Sequence, residues 1–125
     1  MNDSIDRLHV AVLAARGADP ATSRTARLIQ GGRAKVAKKL GEEAVEVVID
    51  AMSGSHDNVV RESADLLYNL VVLWTVSGVE PGEVWKEMER RERLFGIAEK
   101  LLKHDQPKAR RKVAALHLRS VGKRA

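Results

Sequence analysis

Two pairs of acidic residues have the spacing of one helix face. Glu43 and Glu46 lie three positions apart, with Glu42 directly before them, and Glu62 and Asp65 repeat the same spacing further along the chain. Residues three or four apart lie on the same side of a helix. Each pair is therefore expected to direct two carboxylates to one side of its helix.

Each pair falls in a segment that is predicted to be helical. Apolar residues recur at helical spacing over residues 34–52 and over residues 57–77, where Asp57 is the expected N-cap, and no part of the chain alternates like a half-exposed strand. Because the connection between the segments is short, the two helices are expected to pack antiparallel. Counted outward from that turn, the two pairs lie at the same depth, so their four carboxylates would meet.

Four carboxylates at one helix interface need a counter-charge, since burying an unpaired charge costs several kcal/mol. Mg²⁺ is bound by a few carboxylates and readily accepts phosphate oxygens as further ligands. The spacing therefore predicts a site for Mg²⁺, which Mn²⁺ could also occupy. One pair alone would be explained more simply as a solvated helix face, but two pairs on adjacent helices favour a metal. The predicted ligands are Glu43, Glu46, Glu62 and Asp65.

Further helices complete a predicted all-α bundle of four to five helices. Ser4 as a cap and Gly17 mark the ends of the first, and a second is predicted over about residues 22–30, before two glycines. A fifth begins at Pro81, because proline is favoured at the first helical position, and reaches about Phe95.

Two features inside the predicted helices indicate close packing. Gly41 interrupts the third helix, where glycine costs about 1 kcal/mol relative to alanine, so a packing reason or a close backbone approach is expected there. The fourth helix is apolar nearly all round from Ala64 to Val76. Such a helix is typical of the centre of a bundle or of an oligomer interface.

The composition excludes several classes of site. A chain of 125 residues suits one domain. It has no cysteine, which excludes disulfides, thiolate metal sites and cysteine nucleophiles and fits a reducing cytoplasm. The N-terminal residues lack a basic start before an apolar core, so we expect neither a signal peptide nor a membrane span.

The net charge of +5 comes from the C-terminal end of the chain. Residues 104–125 hold seven Lys or Arg and one Asp, whereas residues 1–103 hold fifteen basic and sixteen acidic residues. We therefore predict a helical domain at residues 1–103 and a basic tail, also helical, at residues 104–125. The tail could bind nucleic acid through its charge. It has no aromatic residue for stacking bases, which favours packing on the body or on a partner subunit.

The acidic segments resemble a known family. Phosphoribosyl-ATP pyrophosphatases of histidine biosynthesis, which belong to the all-α, MazG-like nucleotide pyrophosphohydrolases, are similar in the runs KVAKKLGEEAVEVVIDAM, ESADLLYNLVVLW and RRERLFGIAEKL. The similarity extends from about Thr22 to Leu101. It implies a dimeric, cytoplasmic helical bundle that uses Mg²⁺ to cleave the α–β phosphoanhydride of phosphoribosyl-ATP. The products would be phosphoribosyl-AMP and pyrophosphate.

The resemblance also implies roles for individual residues. The four carboxylates match the metal-binding positions of the family, and Glu42 matches the accompanying acid. Glu42 and Glu43 are both candidates for the base that takes the proton of the attacking water. Lys35, Lys38 and Lys39 match a basic stretch that would bind the substrate. Lys39 shares the face of Glu43 and could reach a phosphate, while a solvated face would explain the other two equally well.

Two positions depart from the family pattern. Arg24, in Ser-Arg-Thr, stands where the family usually has tyrosine, and Asn69 stands where it usually has histidine. Asn69 lies one turn beyond Asp65 and so faces the site, where it could hydrogen-bond the substrate but could not take up a proton. These changes leave open a paralogue that acts on another nucleoside triphosphate. A folded but inactive member is a further alternative, which the intact acids oppose.

Overall fold

The computed structural model describes residues 3–96, which form five α-helices and, within that range, no β-strand. The predicted all-α class is confirmed. The basic tail predicted at residues 104–125 lies outside the described residues. None of the described helices combines the length and the apolar character needed to cross a membrane. The helices are α1 (Asp3–Ala15), α2 (Arg24–Gln30), α3 (Arg33–Ser53), α4 (His56–Ser77) and α5 (Pro81–Phe95).

The long helices α3 and α4 form a hairpin, and they pack against each other more extensively than any other described pair. Gly54 ends α3 with φ of 79°, in the left-handed conformation that glycine adopts without strain. Ser55 then begins α4, and its hydroxyl accepts a hydrogen bond from the amide of Asn58. This two-residue connection makes the helices antiparallel, as predicted.

Two of the predicted N-caps are wrong. Ser55, rather than Asp57, caps α4, because Ser55 has the extended backbone of an N-cap while Asp57 already lies in the first turn. Ser4 lies inside α1, which begins at Asp3. The helix α2 begins at Arg24, after Ser23, whose hydroxyl accepts a hydrogen bond from the amide of Ala26 at 3.1 Å.

The buried core is small and aliphatic, and it lies where α1 and α2 meet the C-terminal half of α4 and the start of α3. The half of the hairpin nearer its turn is different, because large apolar side chains there are between 44 and 84% exposed. Some of the apolar side chains of α4 therefore lie in the core and others lie on the surface. The core residues are Ile5, Val12, Ala26, Val36, Val71 and Val72, and the exposed ones are Val45, Val48, Ile49, Met52, Val60 and Leu67.

The chain divides between Val84 and Trp85 into two units, of which the first contains α1 to α4. Of the second, the structure describes residues 85–96. Glu87 there accepts hydrogen bonds from Arg90 at 2.9 Å and from Arg91 at 3.0 Å. These bonds lower the pKa of Glu87 to about 2 and support this part of α5.

Candidate active site

Three of the four predicted metal ligands meet between α3 and α4. One carboxylate oxygen from each of Glu43, Glu62 and Asp65 lies within 4.8 Å of the other two, and we call these three residues the carboxylate cluster. Oxygens that bind one divalent cation at about 2.0–2.6 Å lie at most about 4–5 Å apart. The observed separation therefore suits a shared cation.

Two oxygens of the carboxylate cluster have no hydrogen-bond donor among the described residues. Glu43 is 6% exposed, and its Oε2 atom has no hydrogen-bond partner among the described residues. Glu62 Oε2 is likewise buried without a partner there. Because a buried polar atom without a partner costs about 1–3 kcal/mol, and more when charged, these oxygens favour a cation beside them. The residues present thus fit a divalent metal.

The fourth predicted ligand, Glu46, lies at the edge of the carboxylate cluster. Its side chain is exposed. Its carboxylate adjoins that of Glu62. A hydrogen bond with Glu46, burial, and a hydrogen bond with Glu43 together raise the pKa of Glu62 to about 7. Glu42 is exposed and lies outside the carboxylate cluster.

Lys39 is the cation beside the carboxylate cluster. Its Nζ atom lies 3.1 Å from Glu43 Oε1, and its side chain is 40% exposed whereas that of Glu43 is 7% exposed. The hydrogen bond and the charge of Glu43 raise the pKa of Lys39. Burial opposes ionisation of Glu43, but the hydrogen bond from Lys39 and those with the neighbouring carboxyls outweigh it and lower the pKa of Glu43.

The other two predicted substrate-binding lysines lie apart from the carboxylate cluster. Lys35 and Lys38 are exposed and form no hydrogen bond or ion pair with residues 3–96. The aliphatic part of Lys35 passes over Gly31, where a Cβ atom would overlap Lys35 Cδ. Of the three lysines, the structure thus brings Lys39 alone to the predicted metal ligands.

A cavity of about 100 Å³, which we call the Asn69 cleft, opens beside the carboxylate cluster. It was not predicted, because it depends on contacts between distant parts of the chain. Thr25 Oγ1 lies 2.6 Å from the hydroxyl oxygen of Tyr68, 43 residues away, and this hydrogen bond joins α2 to α4 at the cleft. The lining residues are Arg24 and Leu28 of α2, Lys39 and Glu43 of α3, and Asp65, Tyr68 and Asn69 of α4.

Asn69 presents an unused hydrogen-bond acceptor at this cleft. Its side chain is 2% exposed, and its Nδ2 atom donates to the backbone oxygen of Asp65 at 2.8 Å. The Oδ1 atom is buried and has no partner among the described residues. Asn69 and Asp65, which were predicted to face the same site, both line the cleft.

A second, more open cavity of about 290 Å³, the Asp50 cleft, borders the carboxylate cluster at Glu62. In the part of the chain that the structure describes, no Lys or Arg lines it, whereas Arg24 and Lys39 both line the Asn69 cleft. An anionic phosphate chain is therefore better accommodated at the Asn69 cleft. The residues lining the Asp50 cleft are Glu46, Ile49, Asp50, Asn58 and Glu62.

The site lies within a region that matches one protein family. Residues 5–92 match the family described as phosphoribosyl-ATP pyrophosphohydrolase, a range that includes every residue of both clefts. The chain belongs to this phosphoribosyl-ATP pyrophosphohydrolase family. The resemblance drawn from the acidic segments is thereby confirmed.

Several relatives in the phosphoribosyl-ATP pyrophosphohydrolase family are highly similar to this chain. Phosphoribosyl-ATP pyrophosphatase 2 of Bradyrhizobium diazoefficiens is 61% identical over 133 aligned positions, which cover 99% of each chain. The protein of the same name from Rhodopseudomonas palustris is 69% identical over 103 positions, 82% of this chain and 79% of the relative. Phosphoribosyl-ATP pyrophosphatase of Azospirillum brasilense is 54% identical over 96 positions, 77% of this chain and 86% of its own.

Proposed function

We propose that this protein hydrolyses the α–β phosphoanhydride of phosphoribosyl-ATP in a Mg²⁺-dependent reaction. The products are phosphoribosyl-AMP and pyrophosphate, in the cytoplasmic pathway of histidine biosynthesis. The observation that carries the proposal is the carboxylate cluster, which lies beside a cleft with two cationic side chains. Its buried oxygens on Glu43 and Glu62 lack partners within residues 3–96. The names of the relatives support the choice of substrate.

The carboxylate cluster provides the metal ligands in this proposal. Glu43, Glu62 and Asp65 hold the ion from two helices, and Glu46, which adjoins Glu62, completes the set. When bound, Mg²⁺ or Mn²⁺ polarises phosphoryl oxygens, lowers the pKa of a bound water and neutralises the leaving pyrophosphate. Two helices held by a two-residue turn keep these carboxylates in place.

Lys39 and Asn69 provide the substrate contacts nearest the reacting bond. Lys39 turns its partly exposed ammonium group from Glu43 to a phosphate oxygen, and Asn69 Oδ1 accepts a hydrogen bond from a donor on the nucleotide. Lys35 and Lys38 add positive charge outside the cleft, where it attracts an anionic substrate.

Glu43 is the candidate base that the geometry favours over Glu42. Glu43 belongs to the carboxylate cluster and lines the Asn69 cleft, so a water held at the cluster lies within its reach. Glu42 is exposed and lines neither cleft. Glu42→Gln should therefore keep most of the activity, while Glu43→Gln should lose it, as measured by pyrophosphate release. The reverse order would assign the base to Glu42.

The homodimer is proposed to form through the exposed apolar side of the hairpin. Val45, Val48 and Met52 of α3 are 58, 60 and 84% exposed, and their spacing of three and four residues places them on one helix face. A partner subunit covering this face would remove a large apolar area from water. The hydrolase domain is proposed to comprise residues 1–103, with the basic tail as a separate element.

A second candidate is a paralogous pyrophosphohydrolase that acts on another nucleoside triphosphate. The observation that favours it is the lining of the Asn69 cleft, where Arg24 and Asn69 replace the tyrosine and histidine of the usual pattern. Pyrophosphate release with Mg²⁺ from phosphoribosyl-ATP, the common nucleoside triphosphates and modified ones distinguishes the two. Phosphoribosyl-ATP should give the highest kcat/KM. A higher value for another triphosphate would replace the first proposal with the second.

A further inference from the structure

Arg24 carries a positive charge at a position where that charge does not stabilise its own helix. It occupies the first position of α2, where the helix dipole disfavours positive charge. Its side chain is exposed and forms no hydrogen bond or ion pair with residues 3–96. It nevertheless lines the Asn69 cleft. We propose that Arg24 binds a phosphate group of the substrate and thereby contributes to specificity, an inference that rests on the proposed function.

The surroundings of Arg24 are those of a built site. Asn69, 2% exposed, lines the same cleft, and its Oδ1 atom has no partner among the described residues, so the cleft also offers an acceptor for an N–H or O–H group of the nucleotide beside the phosphate. The hydrogen bond between Thr25 and Tyr68 fixes the start of α2 against α4. Ser23 caps the same turn. The backbone of Arg24 is thus held at the cleft while its guanidinium remains available.

The chemistry of the cleft favours a phosphate as the group that Arg24 binds. A guanidinium offers two parallel N–H donors that match two phosphate oxygens. Glu43 and Asp65 line the same cleft, and a metal held by them would free the ammonium group of Lys39, now paired with Glu43, as a second positive charge. The cavity of about 100 Å³ is smaller than the roughly 300–1,000 Å³ of pockets that enclose whole ligands, so it suits one group of the nucleotide. That phosphate is either part of the triphosphate or the monoester on the phosphoribosyl group.

The position of Arg24 differs from that of Arg27, which provides a matched control. Arg27 is on the same helix and exposed, but its Nη1 atom donates to the backbone oxygen of Pro20 at 2.9 Å, and it does not line the Asn69 cleft. Replacing either arginine by glutamine removes one positive charge from α2. If Arg24 binds a phosphate, Arg24→Gln should weaken phosphate binding more than Arg27→Gln, which reports the general effect of losing one charge.

The test is the binding of two phosphate probes, inorganic pyrophosphate and ribose 5-phosphate, measured by calorimetry in Mg²⁺. Arg24→Gln should lower the affinity for one of the two probes by about ten- to a hundredfold, which is the effect of losing one hydrogen bond between charged groups. Arg24→Lys, which keeps the charge without the two parallel donors, should bind with intermediate affinity, and Arg27→Gln should match wild type. Weakened pyrophosphate binding would place Arg24 on the triphosphate, and weakened ribose 5-phosphate binding would place it on the phosphoribosyl monoester.

Equal affinity of wild type and Arg24→Gln for both probes would overturn the inference, as would failure of wild type to bind either. With phosphoribosyl-ATP, Arg24→Gln should raise KM and leave kcat nearly unchanged, because the contact is present in both the ground and the transition state. If wild type does not hydrolyse phosphoribosyl-ATP, the proposed function fails, while the probes still decide the role of Arg24. Circular dichroism of each variant confirms that it is folded.

Discussion

Lys39 Nζ lies 3.1 Å from Glu43 Oε1, so a partly exposed ammonium group neutralises a carboxylate that is almost completely buried. The two residues are one helical turn apart on α3. In the absence of a metal, Lys39 is the positive charge that compensates the carboxylate cluster. A bound cation would take over that task and release Lys39 to contact a phosphate.

Replacing Lys39 should therefore destabilise the metal-free protein more than the metal-bound protein. Lys39→Gln leaves Glu43 buried without its counter-ion, and the loss should be about 0.5–1 kcal/mol, the upper range for a partly exposed ion pair. This corresponds to a few degrees in Tm. Thermal unfolding in EDTA and in saturating Mg²⁺ measures the difference. Lys38→Gln is the control, because Lys38 is exposed and unpaired within residues 3–96. An equal loss of stability in EDTA and in Mg²⁺ would contradict the idea that a bound metal replaces Lys39 as the counter-ion of Glu43.

Activity should depend on a divalent metal and on Glu46. Glu46→Gln keeps the shape of the side chain but removes a charge beside Glu62, so we expect hydrolysis to fall by orders of magnitude while the fold is kept or slightly stabilised. Steady-state rates with and without EDTA, together with Tm, test this. Glu89→Gln, an exposed change on α5, serves as a control. Full activity in EDTA would show that the carboxylate cluster is not a metal site. A Glu46→Gln variant that unfolds readily but keeps full activity per folded molecule would show that Glu46 is structural.

The stability of the metal-free protein should fall as pH rises through the range in which Glu62 titrates. The pKa of Glu62 is about 7 in the fold against 4.5 ordinarily, so between these values the folded state holds a proton that the unfolded state has lost. Where the folded state binds more protons, stability decreases with rising pH. Tm measured in EDTA across this range should therefore decline, and Glu62→Gln should show a shallower decline. Identical slopes for the two proteins would remove Glu62 as the cause.

The helices could be predicted from the sequence because their signals are local. Gly54 and Gly78 end α3 and α4 in the left-handed conformation, with φ of 79° and 73°, and a glycine just past an apolar periodic segment is a local signal of this kind. Which side of a helix is covered could not be predicted in the same way. Glu43 and Val45 lie two residues apart, yet packing against α4 leaves Glu43 6% exposed and Val45 58% exposed.

The two clefts could not be predicted because they are tertiary features. The acidic pairs were recognisable, since each pair is a spacing within one helix. The role of Arg24 depends instead on how α2 lies against α4, which is fixed by the hydrogen bond between Thr25 and Tyr68. The sequence identified Arg24 as a departure from a pattern, but only the structure places it at the cleft that Lys39 also lines.

Gly41 tests the proposed dimer. Within the described part of one chain, nothing lies within 4 Å of a Cβ atom at Gly41, so the expected close approach does not come from its own subunit. Gly41 shares a helix face with Val45 and Val48, four and seven residues on. A partner backbone approaching there would explain the glycine. Gly41→Ala should then weaken dimerisation, although it favours an isolated helix by about 1 kcal/mol.

Sedimentation equilibrium of Gly41→Ala measures this effect, and Gly82→Ala is its matched control. Gly82 is also an exposed helical glycine with open space at its Cβ position, but it lies on α5. Val48→Asp, which places a charge on the exposed apolar face of α3, should give folded monomers. If Gly41→Ala dimerises as tightly as Gly82→Ala, Gly41 lies outside the interface. If Val48→Asp remains a dimer, the interface lies elsewhere.

Asn69 provides the sharpest test of the substrate. Its Oδ1 atom is buried without a partner among the described residues, at a position where the family usually has histidine. If that histidine contacts the phosphoribosyl-ATP nucleotide, Asn69→His should raise kcat/KM for this substrate by a few-fold to about tenfold, the value of one hydrogen bond. Mg²⁺ affinity should change little, because Asn69 lies beside the carboxylate cluster and outside it. Steady-state kinetics and a Mg²⁺ titration of Tm measure the two effects separately.

A slower Asn69→His variant, with wild type already at a normal enzyme rate, would show that asparagine is the better fit to phosphoribosyl-ATP in this cleft. If neither form cleaves phosphoribosyl-ATP and both cleave another triphosphate, the protein is the paralogue.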